Sequence, residues 1–89
     1  MDSQTLRRIR SSFPILNTRV DGKPLIYFDN GATTQKPREV IEAITQFYRK
    51  ENANVHRAAH HLSSLATAHY EQARDQIAEF INAKPNEIV

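Results

Sequence analysis

No cysteine occurs anywhere in the sequence. This excludes a disulfide, a thiolate zinc site and a thiol nucleophile from these residues. Long apolar runs are missing as well. The longest, Leu25 to Phe28, is far short of the roughly 20 residues that cross a bilayer as a helix. Neither sign of charge dominates: twelve lysines and arginines face ten aspartates and glutamates, a net charge of +2. That balance is too mild, and the basic residues too scattered, to argue for nucleic acid. There is no GxGxxG or GxxxxGK[ST] phosphate loop, no apolar core of a secretory signal, and no repeat or low-complexity tract. With 89 residues the chain makes one small domain at most, burying roughly 60% of its unfolded surface.

What is present reads as short punctuated elements. Residues 3–11 suit one helix, with Leu6 and Ile9 on one side and Arg7, Arg8 and Arg10 on a solvated face. A transit-peptide reading of this basic, serine-bearing start is the weaker one. Phe13-Pro14 ends the helix, because proline forces the residue before it into extended backbone. Asp21-Gly22 signals a tight turn between Thr18–Val20 and Leu25–Phe28, and the second of these apolar runs predicts a short strand. Pro37 fits a helix start. From it Val40, Ile41, Ile44, Phe47 and Tyr48 recur at helical spacing, which predicts a helix over 37–50. A polar loop, 51–62, follows. Ser63 can cap a second long helix running to Asn82, with Ala66, Tyr70, Ala73, Ile77, Phe80 and Ile81 as its buried face. Asn82 and Pro85 supply the stop. Ile88-Val89 then begins an apolar, β-branched run that is cut off at once, so the chain is expected to continue beyond it.

Two stretches could carry chemistry. Asp29-Asn-Gly-Ala-Thr-Thr34 offers a glycine able to reach positive φ, almost no bulk at Ala32, and hydroxyls and amides just before a helix. On residue chemistry alone it is either a small-molecule contact surface or a helix-entry turn capped by Asn, Asp or Thr, the second being the commoner. The other stretch holds His56, His60 and His61, with His69 further on. His56 and His60 are four apart, a spacing that on a helix would align two metal ligands. No carboxylate sits between them in an HExxH arrangement and no third ligand is near, so histidines bonding locally are the stronger reading.

Taken together, Leu25-Ile-Tyr-Phe-Asp-Asn-Gly-Ala-Thr-Thr-Gln-Lys-Pro37, Asn54-Val-His-Arg57 and His61-Leu-Ser63 resemble the start of a pyridoxal-phosphate-dependent cysteine desulfurase. That family belongs to the class V aminotransferases, and the likeness is to the group that works with sulfur-acceptor proteins. It covers the chain from about Phe13 onward. It implies an α/β parent fold of the fold-type I pyridoxal-phosphate transferases. This chain would be one truncated segment and mainly helical: two long helices, a short N-terminal helix and a short strand or hairpin. Residues 1–24 would be an N-terminal arm, and 25–89 the start of the large cofactor-binding domain.

The resemblance also implies roles. Asn30, Gly31 and Ala32 would line the substrate side of the active-site mouth, so that bulkier residues at 31 or 32 obstruct substrate. His56 and Arg57 would sit on a loop reaching across a homodimer into the partner's pocket, where arginine suits an anionic cofactor or substrate. Ala58 stands where the family often carries glycine. The parent would be a cytoplasmic enzyme that takes sulfur from L-cysteine as an enzyme persulfide and releases L-alanine. The sulfur would go to an acceptor protein for iron–sulfur cluster assembly, with no nucleic acid or membrane partner. Selenocysteine lyase, another class V lyase, or a non-enzymatic helical binding module are the alternatives.

In the family the cofactor lysine, the acid at the pyridine nitrogen, the ring-stacking histidine and the sulfur-accepting cysteine all lie after the part that this chain resembles. None of Lys23, Lys36, Lys50 and Lys84 resembles the cofactor lysine. No catalytic, cofactor-binding or metal-binding residue is therefore assigned, and the segment alone is expected neither to bind pyridoxal phosphate nor to be active.

Overall fold

The computed structural model describes residues 1–57 and 59–89. These divide into two compact units, residues 1–45 and 46–89, each of which has its own internal logic.

The first unit opens with α1 (Ser3–Ser11). Asp2 caps it: its carboxylate accepts from the Thr5 amide at 2.7 Å, satisfying one of the free N–H groups of the first turn. This hydrogen bond to the Thr5 backbone holds the Asp2 carboxyl below the ordinary aspartate range. A 3₁₀ turn over Pro14–Asn17 follows. Then comes an antiparallel hairpin of β1 (Arg19–Val20) and β2 (Lys23–Pro24), with Arg19 opposite Pro24 and Val20 opposite Lys23. The two-residue turn works as its Asp-Gly composition predicts. Asp21 and Gly22 both lie at positive φ, 51° and 75°, the backbone that a type I′ hairpin turn needs.

The expected strand over Leu25–Phe28 is not formed. The Leu25 amide bonds the Thr18 carbonyl at 3.0 Å, and there the ladder stops. Upstream of Thr18 the chain curls into the Pro14–Asn17 turn, so no extended backbone remains for residues 26–28 to pair with. Phe28 is 95% exposed as a result. The unit closes on α2 (Arg38–Gln46). Pro37 stands one residue before it, and its carbonyl accepts from Val40 and Ile41. The Arg38 amide bonds the Ser12 carbonyl at 2.7 Å, tying the helix entry to the end of α1.

The second unit begins where α2 widens. The regular helix expected to reach residue 50 ends at Gln46, and Phe47–Glu51 continue it as a wider π-type turn. Its main element is α3 (His61–Ile81). The start is shifted from the expected one. His60, not Ser63, is the cap: its Nδ1 accepts from the Ser63 amide at 3.2 Å. Ser63 lies inside the helix, fully buried, and its hydroxyl donates to the Asn54 carbonyl at 2.5 Å. The stop is as expected. Asn82 takes left-handed backbone at φ 58°, the Ala83 amide bonds the Ala78 carbonyl at 2.8 Å, and the Asn82 amide bonds the Glu79 carbonyl at 3.2 Å. This is a Schellman closure with asparagine in place of glycine. A 3₁₀ turn over Pro85–Glu87 follows.

The buried face expected on α3 needs correction. Ala66 (2% exposed) and Ala78 (1%) are buried, but Tyr70, Ile77 and Ile81 are about half exposed and Phe80 is 91% exposed. Small residues make the close contacts; among the described residues of this unit the Phe47–Glu51 and Pro85–Glu87 turns pack on this helix. These short turns leave much of the apolar stripe of α3 uncovered. On α2, Val40, Ile41 and Ile44 are exposed in the same way.

Candidate functional site

The first candidate stretch, residues 29–35, is a self-contained turn. The Ala32 and Thr33 amides both bond the Asp29 carbonyl, at 3.0 and 3.2 Å. The Asn30 side chain accepts from the Gln35 amide at 3.1 Å, and the Thr34 hydroxyl donates to the Asn30 carbonyl at 3.3 Å. The Tyr27 hydroxyl closes the turn from below, donating to the Thr33 carbonyl at 2.8 Å and lying 3.2 Å from that of Asp29. Lys36 turns its ammonium onto the Thr34 carbonyl.

Gly31 does not use its conformational freedom. Its φ is not in the left-handed region, and a Cβ built there would meet nothing within 4 Å. Among the described residues nothing in the chain's own packing requires a glycine at 31. Beside the turn, Phe13, Leu25, Tyr27, Asn30, Thr34 and Gln35 help line an open, mainly apolar cleft of about 530 Å³. Of the predicted substrate-side residues, Asn30 borders it.

The second stretch is anchored from a distance. His56 has left-handed backbone at φ 61°, unusual for a residue with a Cβ although tolerated better by histidine than by most. Four contacts within residues 46–89 hold the segment in place. The His56 amide donates to the Thr67 hydroxyl at 2.9 Å. Its Nε2 lies 2.7 Å from the Glu71 carboxylate, which can only accept, so Nε2 carries the proton. Its ring meets that of Tyr70 edge-on at 5.5 Å. Ser63 holds the Asn54 carbonyl, as described above. Arg74 completes the cluster: its Nε bonds the other Glu71 oxygen at 3.2 Å, its guanidinium lies 5.4 Å from the Tyr70 ring centre, and Nη1 reaches the Ile88 carbonyl.

Arg57 is exposed, and among the described residues no carboxylate pairs with it. Ala58 lies outside the described residues. The other histidines act separately: His60 caps α3, His61 is its first residue, and His69 lies beside Glu51 at 3.3 Å. Neither His56 nor His60 lies within a helix, so the four-residue spacing has no meaning as a ligand pair.

Thr67, Tyr70, Glu71 and Arg74 were not singled out as a functional group from sequence. The available signal was their spacing: 67, 70, 71 and 74 fall on one face of a helix. It could not show that the face meets His56, because that contact spans 11 and 15 residues of chain.

Residues 26–89 match the aminotransferase class-V family, and the chain belongs to it. It is 63% identical over 75 residues to a probable cysteine desulfurase of Mycolicibacterium paratuberculosis, which covers 84% of this chain and 11% of that protein. It is 50% identical over 84 residues to a cysteine desulfurase of Synechococcus elongatus, covering 94% of this chain and 13% of that one. A solved cysteine desulfurase from Thermococcus onnurineus superposes with a TM-score of 0.79 at 44% identity, covering 93% of this chain and 19% of that one. The chain thus spans between about a tenth and a fifth of the length of these relatives.

Members of this family generally use pyridoxal phosphate. No lysine lines the cleft beside Asn30. Lys36, nearest to it in sequence, has its ammonium occupied by a carbonyl. Among the described residues no helix is long and apolar enough to cross a membrane.

Proposed function

We propose that the chain is the amino-terminal part of a pyridoxal-phosphate-dependent cysteine desulfurase. The likeness to the Thermococcus onnurineus desulfurase, in fold and sequence over nearly the whole chain, carries this reading. In the overall reaction L-cysteine and an enzyme thiol give L-alanine and an enzyme persulfide. The C–S bond breaks, an S–S bond forms, and the thiol's proton ends on carbon. Neither the thiol nor the cofactor lysine is among these residues, so the chain's own share is binding and positioning.

In that reading residues 1–24 are an arm and 25–89 begin the large domain. Asn30, Gly31 and Ala32 face the substrate side, which accounts for a glycine whose own surroundings do not require one. His56 and Arg57 reach the pocket of a second subunit, and the exposed Arg57 fork suits a carboxylate or phosphate. The persulfide sulfur passes to an acceptor protein for iron–sulfur cluster assembly, in the cytoplasm.

The test uses the full-length protein with pyridoxal phosphate and L-cysteine under reducing conditions. Alanine and sulfide should appear in equal amounts. Failure to form alanine from cysteine overturns the reading. The placement of Arg57 is tested with hybrid dimers. Arg57→Ala mixed with a variant lacking the cofactor lysine should recover activity only if Arg57 acts across subunits.

A further inference from the structure

We propose that Glu71 is a positioning residue for His56, holding its imidazole as the Nε2–H tautomer with Nδ1 left as a hydrogen-bond acceptor; this rests on the desulfurase reading above. Three observations carry it. First, the Glu71 carboxylate is 2.7 Å from Nε2. A carboxylate on one ring nitrogen decides which nitrogen carries the proton and which keeps its lone pair. Second, Glu71 is itself held. Arg74 bonds its second oxygen and lies over Tyr70, whose ring edge meets that of His56. The carboxylate is thus fixed from its far side, and the imidazole is located by a carboxylate and an aromatic ring at once.

Third, the backbone of His56 is in left-handed geometry that a residue with a Cβ adopts only at a cost, with its amide bonded to Thr67. An imidazole pinned at both its amide and its Nε2 has one nitrogen left to use. Among the described residues nothing bonds the His56 Nδ1. The arrangement therefore presents an oriented acceptor, suited to an N–H or S–H donor arriving from outside the described residues, one residue before the exposed Arg57. The amino and thiol groups of an amino-acid substrate such as cysteine are donors of that kind.

The experiment uses full-length protein with ¹⁵N-labelled histidine, at a pH where His56 is neutral, with the His56 signals assigned by Glu71-independent loss in His56→Ala. Wild type should show one protonated and one bare ring nitrogen in the Nε2–H pattern. Glu71→Gln, whose carbonyl can still accept, should keep that pattern. Glu71→Ala should move both nitrogens toward the average of a tautomer mixture.

The second readout is kcat/KM for L-cysteine. It should fall about tenfold in Glu71→Ala, as expected for a misplaced contact group, recover in Glu71→Gln, and fall no further when Glu71→Ala is added to His56→Ala. An unchanged tautomer in Glu71→Ala overturns the proposal. So does an equal loss of kcat/KM with and without His56, which would mark Glu71 as merely structural. Should Glu71→Ala fail to fold, Glu71→Met keeps the bulk without the acceptor and serves in its place. If wild type forms no alanine from cysteine, the desulfurase reading falls and the tautomer measurement alone decides the role of Glu71.

Discussion

The turn at 29–35 and the segment at 54–57 differ in where their hydrogen bonds go. Every bond in the first joins residues at most six apart. Those in the second cross 9, 11 and 15 residues to reach α3. A turn closed on itself needs only its own composition, and it survives whatever packs nearby. A segment strapped to a helix exists only while that helix presents the matching groups in the right register. The first can serve as a passive wall. The second can hold a side chain in an unfavourable backbone geometry, which is what an oriented functional group needs.

The comparison can be broken most sharply at Ser63. Removing its buried hydroxyl in Ser63→Ala should cost about 1.5 kcal/mol, the upper end of the usual net worth of one hydrogen bond. A chemical-denaturation midpoint shift smaller than that of Asn30→Ala would contradict the idea that the second segment is the strongly strapped one. Thr67→Val comes next. It keeps the shape but loses the acceptor for the His56 amide, and it should cost about 1 kcal/mol. Amide exchange at His56 should rise with it, while exchange at residues 29–35 stays as it was.

Within the turn, Asn30→Ala removes one exposed bond to the Gln35 amide and should cost about 0.5 kcal/mol. Gly31→Ala should change stability by less than about 0.5 kcal/mol, since the backbone is ordinary and the space is open. If the proposed desulfurase reading holds, the same change in the full-length protein should nevertheless weaken use of L-cysteine, read as a raised KM. A stability loss as large as that of Gly22→Ala, where φ is left-handed, would mean that Gly31 is kept for its own fold instead.

The smallest effect belongs to Asp2. Its folded carboxyl titrates below the unfolded one, so its capping contribution is full above the ordinary aspartate pKa. That contribution is lost as pH falls through the lower, folded value. Helix content in α1, followed by circular dichroism, should therefore drop at acid pH in wild type. In Asp2→Ala it should already be reduced at neutral pH and lack that drop. The opposite sign would refute the cap.

These contrasts also explain what could be read in advance. The Asp21-Gly22 turn, the Pro37 helix entry and the Asn82 stop were legible because each is decided by the backbone preference of one or two residues. The resemblance of Leu25–Pro37 and Asn54–Arg57 to a desulfurase was legible from residue identity alone, and the class-V family match agrees with it. Misplacing the cap on Ser63 has a plain cause. Serine is a strong cap by propensity, and nothing local shows that its hydroxyl is claimed by Asn54, nine residues upstream. The strand over Leu25–Phe28 failed for a related reason. Its composition is right, but a strand requires a partner, and the partner's backbone turns away before Thr18.

The sequence by itself determined the helices α1, α2 and α3, the hairpin turn, the family, and the residues to suspect at 30–32 and 56–57. Those are properties of short-range spacing and residue identity, which the chain carries before it folds. Only the tertiary structure decided that His56 faces Glu71, that Thr67 and Ser63 strap its segment to α3, and that the apolar stripe of α3 stays largely open in this chain. Such contacts depend on which helix face turns toward which loop, and that is settled by packing across distances the linear sequence does not encode.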